Sequence, residues 1–513
     1  PPQPLERWNG IKDALEDVPL APQPSRIWDR YTLQQLIGEN IDQYETGVVG
    51  QEDCLYINVY TPNLKADDGN KMPVMISIQG GCYYMGTMSS KMYGPDFLMP
   101  HSVVLVTAQY RLGILGFIST GDDVLPGNNG LKDQVMALRW VQRNISKFGG
   151  NPSNVTLFGA SAGACCVHLH MLSPMSKGLF HRAIAHSGCA LNPWALVDPH
   201  ICRQRTFRLA ATLNRGTFET SNILTFLQSI PLCDLIIKAF EIIDEEFTTV
   251  TVSSEHTVPN LLFGPTKEVQ GSSEEIFLQD EPIEIIKSGI FSQVPFILGL
   301  NQCEGSIILQ DVSDKWYNNI YENFESVISK YVIGMKTVPH EDVQLIANKL
   351  KKFYYQGKKK NDMMNHMLFY GDMLIAYGIH NAAEQHAAVS NTPVYLYKFC
   401  HRGELGFHAL LFGHDNPLFK EAGHCEDKGY IFYLLHHHCL NLHPVDQELL
   451  VKNRMTKLWT NFAKTGNPTP ENDPDLCIIW KPVTKSEFCY MNIDKHLTMR
   501  TDFFNERIAL WKE

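Results

Sequence analysis

The sequence predicts an α/β protein, with a large, mostly parallel central sheet, helices on both faces and helical insertions capping it. Three observations predict this. Short runs rich in β-branched and aromatic residues alternate with longer helical patterns. The middle runs are apolar on both faces, as strands covered from both sides must be. Of the 513 residues, 44% are hydrophobic, enough for a large core.

Taken in order, "CLYINVY" (Cys54 to Tyr60), "PVMISI" (Pro73 to Ile78) and "VVLVTAQ" (Val103 to Gln109) read as strands. "GLKDQVMALRWVQRNI" reads as a helix, because Leu131, Val135, Leu138 and Val141 recur at helical spacing. "NVTLF" and "RAIAHS" read as strands separated by a helical stretch, a rhythm that implies parallel pairing. Beyond residue 200 the pattern turns helical, broken only by the strand-like "VPFILGL" and "PVYLYKF". No internal repeat or Pro/Gly/Ser linker interrupts the chain, so residues 1–513 are expected to form one domain.

Composition excludes several functions. A net charge of −11 gives no attraction to phosphate backbones, so nucleic acid is not an expected partner. No apolar run approaches the roughly 18 residues of a membrane helix, and membrane association is not indicated. The 13 cysteines show no CxxC spacing, and most are expected as buried free thiols. The run His436-His437-His438, with Cys439 and His443, points around a helix instead of converging, so no metal is expected, nor any cofactor. The basic stretch Lys349 to Lys360 reads as a solvated helix end. Asn144 and Asn154 open glycosylation sequons. The start, "PPQPLERWNG", has no basic or apolar leader, which favours a cytoplasmic or microsome-associated protein over a secreted one. Nothing in the sequence indicates an oligomeric state.

Gly159-Ala160-Ser161-Ala162-Gly163 follows a strand directly and opens a helix, the context a GxSxG nucleophile elbow requires. The letters alone are weak, since average Gly and Ser usage yields such a pattern in roughly one chain in six of this length. The physical argument is stronger. A sharp strand-to-helix turn strains its central residue and leaves no space for side chains two positions away, where both residues here are glycine. Ser161 would then stand near a helix N-terminus that stabilises developing negative charge.

A serine nucleophile needs a base, and the base an orienting acid. Glu304, just past the strand "VPFILGL" and followed by Gly305, is the acid candidate; a solvated glutamate at a helix start is the alternative. His424, in "EAGHCEDKGYIF" ahead of an apolar segment that reads as a helix, is the best-placed base. His401, His408 and His414 compete with it.

The segments "EDCLYINVY", "QYRLGILGF", "GNNGLKDQVMALRWVQRNISKFGGNPSNVTLFGASAGA", "GLFHRAIAHSG", "NPWA", "PVYLYKF" and "LWTNFAKTGNP" run nearly end to end. Through them the chain resembles the carboxylesterase/cholinesterase (type B) group of α/β-hydrolases, most closely insect α-esterases. The resemblance implies the α/β-hydrolase fold and a triad of Ser161, Glu304 and His424, the last fixed by its six-residue distance to Tyr430. It places the oxyanion hole at the backbone N–H groups of Gly81, Cys82 and Ala162, Trp194 on the acyl side, and Ser187 as a supporting serine beside the acid. It also implies that the family's opening strands precede "PPQPLERW" and are missing here.

Three departures matter. The family's oxyanion loop commonly carries three glycines, whereas this one reads Gln79-Gly80-Gly81-Cys82. The residue before the nucleophile is commonly glutamate and is Ala160, and the choline-binding tryptophan is replaced by Tyr44. With a weaker cation–π surface and no acidic neighbour, acetylcholine is not the expected substrate. The expectation is a serine carboxylesterase acting on small, uncharged, hydrophobic esters through an acyl-enzyme, with xenobiotic detoxification and reaction with organophosphates. The alternative is a slow-turnover scavenging protein on the same fold, its oxyanion loop impaired by Cys82.

Overall fold

The computed structural model describes the chain except for residues 6–7, 18, 26–29, 38–46, 65–69, 215–218, 251–262, 270–274, most of 312–338, 356–362, 409–419, most of 436–444 and most of 471–474. Its centre is a nine-stranded sheet. The strands in chain order are β1 (Ile57–Tyr60), β2 (Met72–Ile78), β3 (Val104–Ala108), β4 (Gly150–Ala160), β5 (Arg182–His186), β6 (Phe296–Asn301), β7 (Val394–Phe399), β8 (Tyr490–Ile493) and β9 (Thr498–Arg500). Across the sheet they lie β9-β8-β7-β6-β5-β4-β2-β3-β1. Every pair from β8 to β3 is parallel.

Side-chain alternation on these strands fills two cores. Val74, Ile76, Ile78, Leu157, Ala185 and Leu298 face one, where they meet Leu131, Val135 and Leu138 of helix α1 (Asn129–Asn144) and Val167 and Leu169 of α2 (Ala162–Leu172). Met75, Leu105, Phe158, Ile184 and Ile297 face the other, against Met455, Leu458, Trp459 and Phe462 of α3 (Asp446–Thr465). Adjacent residues on a strand therefore enter opposite cores, and this is why the strands read as continuously apolar.

The edges correct the sequence reading. β1 runs antiparallel to β3, and β8 and β9 form an antiparallel hairpin that extends the sheet beyond β7. The hairpin strands, of four and three residues, are too short to show an alternation pattern. The segment after His424 reaches helical residues, Leu435 and His437, only after two other elements. It forms a 3₁₀ turn over Glu426–Tyr430 and then a two-residue strand, Tyr433–Leu434, paired antiparallel with Tyr93–Gly94. Aromatic residues there pack in pairs, Tyr93 on Phe432 and Phe97 on Tyr433, which favours the extended backbone.

Among the described residues no helix is long and apolar enough to cross a membrane, and no cluster of three or more metal-ligating side chains occurs. Both sequon asparagines carry hydrogen bonds, Asn144 Nδ2 to Trp140 O at 2.9 Å and Asn154 Oδ1 from Arg182 Nη1.

Buried histidines make the fold acid-sensitive. Ala190 N–H donates to His168 Nδ1 at 3.1 Å, so the ring hydrogen sits on Nε2 and donates to His386 Nε2 at 2.8 Å. Burial holds His168 well below the ordinary imidazole value and pushes His170, His386 and His408 down to about 3. The native state thus binds fewer protons than the unfolded chain below pH 6.5, so stability is present above that value and lost as pH falls. Each such group contributes a slope of at most about 1.4 kcal/mol per pH unit. We expect Tm to fall steadily from pH 7 to 4.5, and His386→Gln, which keeps an acceptor for His168, to give a shallower fall; equal slopes in scanning calorimetry would refute this.

Candidate active site

Four loops leave the carboxyl ends of β2, β4, β5 and β6, the end at which parallel sheets present ligand sites. Ser161 occupies the turn between β4 and α2 with φ 57° and ψ −125°. A non-glycine residue held there costs of order 1–3 kcal/mol, so its surroundings must fix it. They do so by close packing. A Cβ on Gly159 would lie 2.7 Å from the Gly163 carbonyl group, and one on Gly163 would lie 2.3 Å from Ile78 O. On either side of the elbow, a Cβ on Gly80 would meet Ala160 O at 2.4 Å and one on Gly188 would meet Ser161 O at 2.5 Å. Ser161 N–H donates to His186 O at 2.8 Å, which ties the elbow to β5.

Glu304 and His424 meet although 120 positions separate them: His424 Nδ1 lies 2.5 Å from Glu304 Oε2. Both are buried, at 3% and 8% exposure. The other carboxylate oxygen, Oε1, accepts from Asn301 N–H at 2.5 Å and from Ser187 Oγ at 2.6 Å. The loop carrying His424 is fixed to the acid's turn by Cys303 N–H to Ala422 O and by His424 N–H to Ser306 Oγ, both at 2.8 Å. With Nδ1–H on the carboxylate, Nε2 carries the lone pair when the ring is neutral. This nitrogen is buried, has no hydrogen-bond partner among the described residues, and makes no hydrogen bond to Ser161 Oγ. Contacts of this kind commonly close only when substrate is bound. Burial opposes a charge on His424, but the adjacent Cys425 thiol and the Glu304 carboxylate outweigh it and push the ring up to about 10.

The competing histidines separate on geometry. His401 pairs with Glu448 at 2.6 Å, His408 bonds Ser306 Oγ at 3.1 Å and stacks beside Gly423, and His414 lies outside the described residues. Of the described three, His424 alone reaches Glu304. Of the histidine run, His437 accepts Leu434 N–H at Nδ1 and bonds Leu405 O through Nε2, while His436, His438, Cys439 and His443 lie outside the described residues.

Gly81, Cys82 and Tyr83 all have positive φ, at 105°, 52° and 62°, and form a tight left-handed turn closed by Tyr84 and Met85 N–H on Gly81 O. Ala162 is the first residue of α2, where N–H groups have no intrahelical acceptor. The Cys82 side chain packs against the first core, and burial pushes its thiol up to about 11, so it is uncharged at neutral pH. Trp194 is half-buried, and its indole N–H donates to Leu374 O at 2.8 Å, within a π-turn over Asp372–Ala376. Tyr44 lies outside the described residues.

The sequence reading missed Asn301, Ser306, Asp427 and His186, which surround the acid and base. Asn301 stands three positions before Glu304 in the same turn, and Asp427 three after His424; proximity in sequence was their only signal.

A family profile described as the carboxylesterase family matches residues 1–511. Esterase FE4 of Myzus persicae is 35% identical over 476 residues, covering 91% of this chain and 80% of that protein. Juvenile hormone esterase of Tribolium castaneum is 32% identical over 482 residues, covering 92% and 77%. The crystal structure of juvenile hormone esterase from Manduca sexta, with OTFP covalently attached, superposes with a TM-score of 0.81 at 26% identity, covering 99% of this chain and 90% of that one. The nine-stranded sheet and its elbow are those of an α/β-hydrolase, and the chain belongs to the carboxylesterase family of carboxylic ester hydrolases.

Proposed function

We propose that the chain, acting as one catalytic unit, is a serine carboxylesterase that hydrolyses small, uncharged, hydrophobic esters through an acyl-enzyme. The observation that carries this is the 2.5 Å contact between Glu304 Oε2 and His424 Nδ1, which leaves Nε2 as the basic nitrogen. Ser161 Oγ attacks the ester carbonyl carbon while His424 Nε2 takes its proton. The tetrahedral oxyanion is held by the N–H groups of Gly81, Cys82 and Ala162. The C–O bond to the alcohol then breaks, and His424 returns the proton to that oxygen. Water repeats the sequence on the acyl-enzyme, releasing the acid and restoring Ser161. Glu304 orients the ring and stabilises the imidazolium in both steps.

Ala160 supports the preference for uncharged esters, because no carboxylate stands beside the nucleophile to attract a cation. The names of the two juvenile hormone esterases also point to lipophilic esters. Organophosphates fit the same serine, and xenobiotic esters fall within this substrate class. Ser161→Ala should lower nitrophenyl ester turnover by about ten-thousand-fold or more and abolish fluorophosphonate labelling; retained turnover would end the proposal.

The raised His424 value sets the pH dependence. The ring keeps its proton to higher pH than free imidazole, so the neutral base is lost as pH falls through a range above 6.5. The acid limb of kcat/KM should therefore lie above pH 6.5. A wild-type limb at or below 6.5 contradicts this.

Cys82 decides between turnover and scavenging. Its left-handed backbone favours glycine, and its side chain stands in the oxyanion turn. Cys82→Gly should raise kcat, within the roughly hundredfold that one oxyanion donor contributes, and leave labelling of Ser161 unchanged. An unchanged kcat removes Cys82 as a brake.

A further inference from the structure

The acid of the proposed triad is held by a residue that the reaction does not touch. Asn301, the last residue of β6, is fully buried. Besides its N–H bond to Glu304 Oε1, its side-chain Nδ2 donates to Ser187 Oγ at 2.8 Å and to Asp427 Oδ1 at 3.3 Å, and more weakly to Glu304 Oε1 itself at 3.4 Å. Its Oδ1 accepts Asp427 N–H at 3.2 Å. One amide thus joins the acid's strand, the serine after β5 and the loop that carries His424.

Hydrogen positions in this cluster follow from donor chemistry. An amide NH₂ only donates, so Ser187 Oγ accepts from Asn301 and its own hydrogen is left for Glu304 Oε1. Trp459 Nε1–H donates to His186 Nε2 at 3.0 Å, which places the His186 hydrogen on Nδ1, directed at Asp427 Oδ2 at 2.9 Å. Tyr397 OH donates to the same oxygen at 2.6 Å. Asp427 is therefore satisfied by His186, Tyr397 and Asn301, and it anchors the Asn301 side chain from the far side.

We propose that Asn301 is a positioning residue for Glu304. Its side chain, anchored on Asp427, fixes the direction of the Ser187 hydroxyl, and that hydroxyl holds Glu304 in the rotamer that presents Oε2 to His424. Aspartate at this position has no hydrogen to give Ser187 and would add a third carboxylate beside Glu304 and Asp427. Alanine would free the Ser187 hydroxyl to turn away from the acid. The inference rests on the triad reading above.

The test uses the full chain and a nitrophenyl ester, with active sites counted by exhaustive fluorophosphonate labelling so that kcat is expressed per labelled serine. Asn301→Ala should lower kcat per site by about 10- to 100-fold with KM within about threefold, the size of effect a loosened catalytic group produces. Its acid limb should move down towards pH 6.5, because His424 loses a well-placed carboxylate. Asn301→Asp should lose at least as much. Ser187→Ala should cause a similar loss, and adding it to Asn301→Ala should cost little more, since both act through one hydroxyl. Fewer labelled sites with unaltered kcat per site and unaltered acid limb would show a purely structural role and overturn the proposal, as would additive losses in the double variant. If Asn301→Ala does not fold, Asn301→Ser and Ser187→Ala carry the same comparison. Wild-type turnover by Ser161→Ala would bring down the triad reading, whereas an inactive Ser161→Ala beside a fully active Asn301→Ala would bring down this inference alone.

Discussion

The close approach of β2 and β4 at their carboxyl ends is the constraint on which the rest of the site depends. Ile78 O lies where a side chain on either Gly159 or Gly163 would have to go, and β2 pairs with β4 through Ile78 and Gly159. Only with glycine at both positions can the chain turn sharply enough to put Ser161 at positive φ and start α2 in the next residue. A Cβ at either glycine would push the strands apart or tip the helix, and either movement would shift Ser161 relative to the loops after β5 and β6. The two cores press on both sides of these strands and keep the approach closed.

On that frame the protein places ionisable groups away from water, which is costly unless each has partners. Glu304 meets this condition through Asn301, Ser187 and His424, and Asp427 through His186, Tyr397 and Asn301. Burial would raise Asp427, yet these donors hold it below the usual carboxylate range. A carboxylate surrounded by fixed donors cannot reorient freely, so the imidazole facing Glu304 is held as well. Rigidity of this kind would serve the proposed catalysis, because dipoles that stabilise an imidazolium need not rearrange as it forms.

How much of this could be read from the residues depends on how far apart the interacting parts lie. The strands β2 to β7 and the elbow were legible because their signals are local: apolar runs, a helical repeat, two glycines around a serine. The base was not legible from pattern, since four histidines share one stretch and what distinguishes His424 is a carboxylate 120 positions away. The family resemblance supplied that pairing where the pattern could not. Asp427 and His186 were invisible for the same reason, being 241 residues apart. The β8–β9 hairpin escaped because three- and four-residue strands carry too little alternation, and the antiparallel β1 because an edge strand's direction leaves no mark on its composition.

Cys82 shows how a locally unfavourable residue can persist in such a site. L-residues in the left-handed region are disfavoured by roughly 1–2 kcal/mol, and Cys82 and Tyr83 occupy it consecutively. Tyr83 is compensated by full burial, a ring contact with Phe117 at 5.3 Å and a hydrogen bond to Ala195 O at 3.3 Å. Cys82 contributes packing of a small uncharged thiol against the core. The turn is thus anchored by the tyrosine, and the cysteine follows the path its neighbour imposes. A turn fixed from one side keeps its path whatever small residue occupies position 82, so in the proposed reaction the side chain would act through the space it fills and not through the backbone it bends.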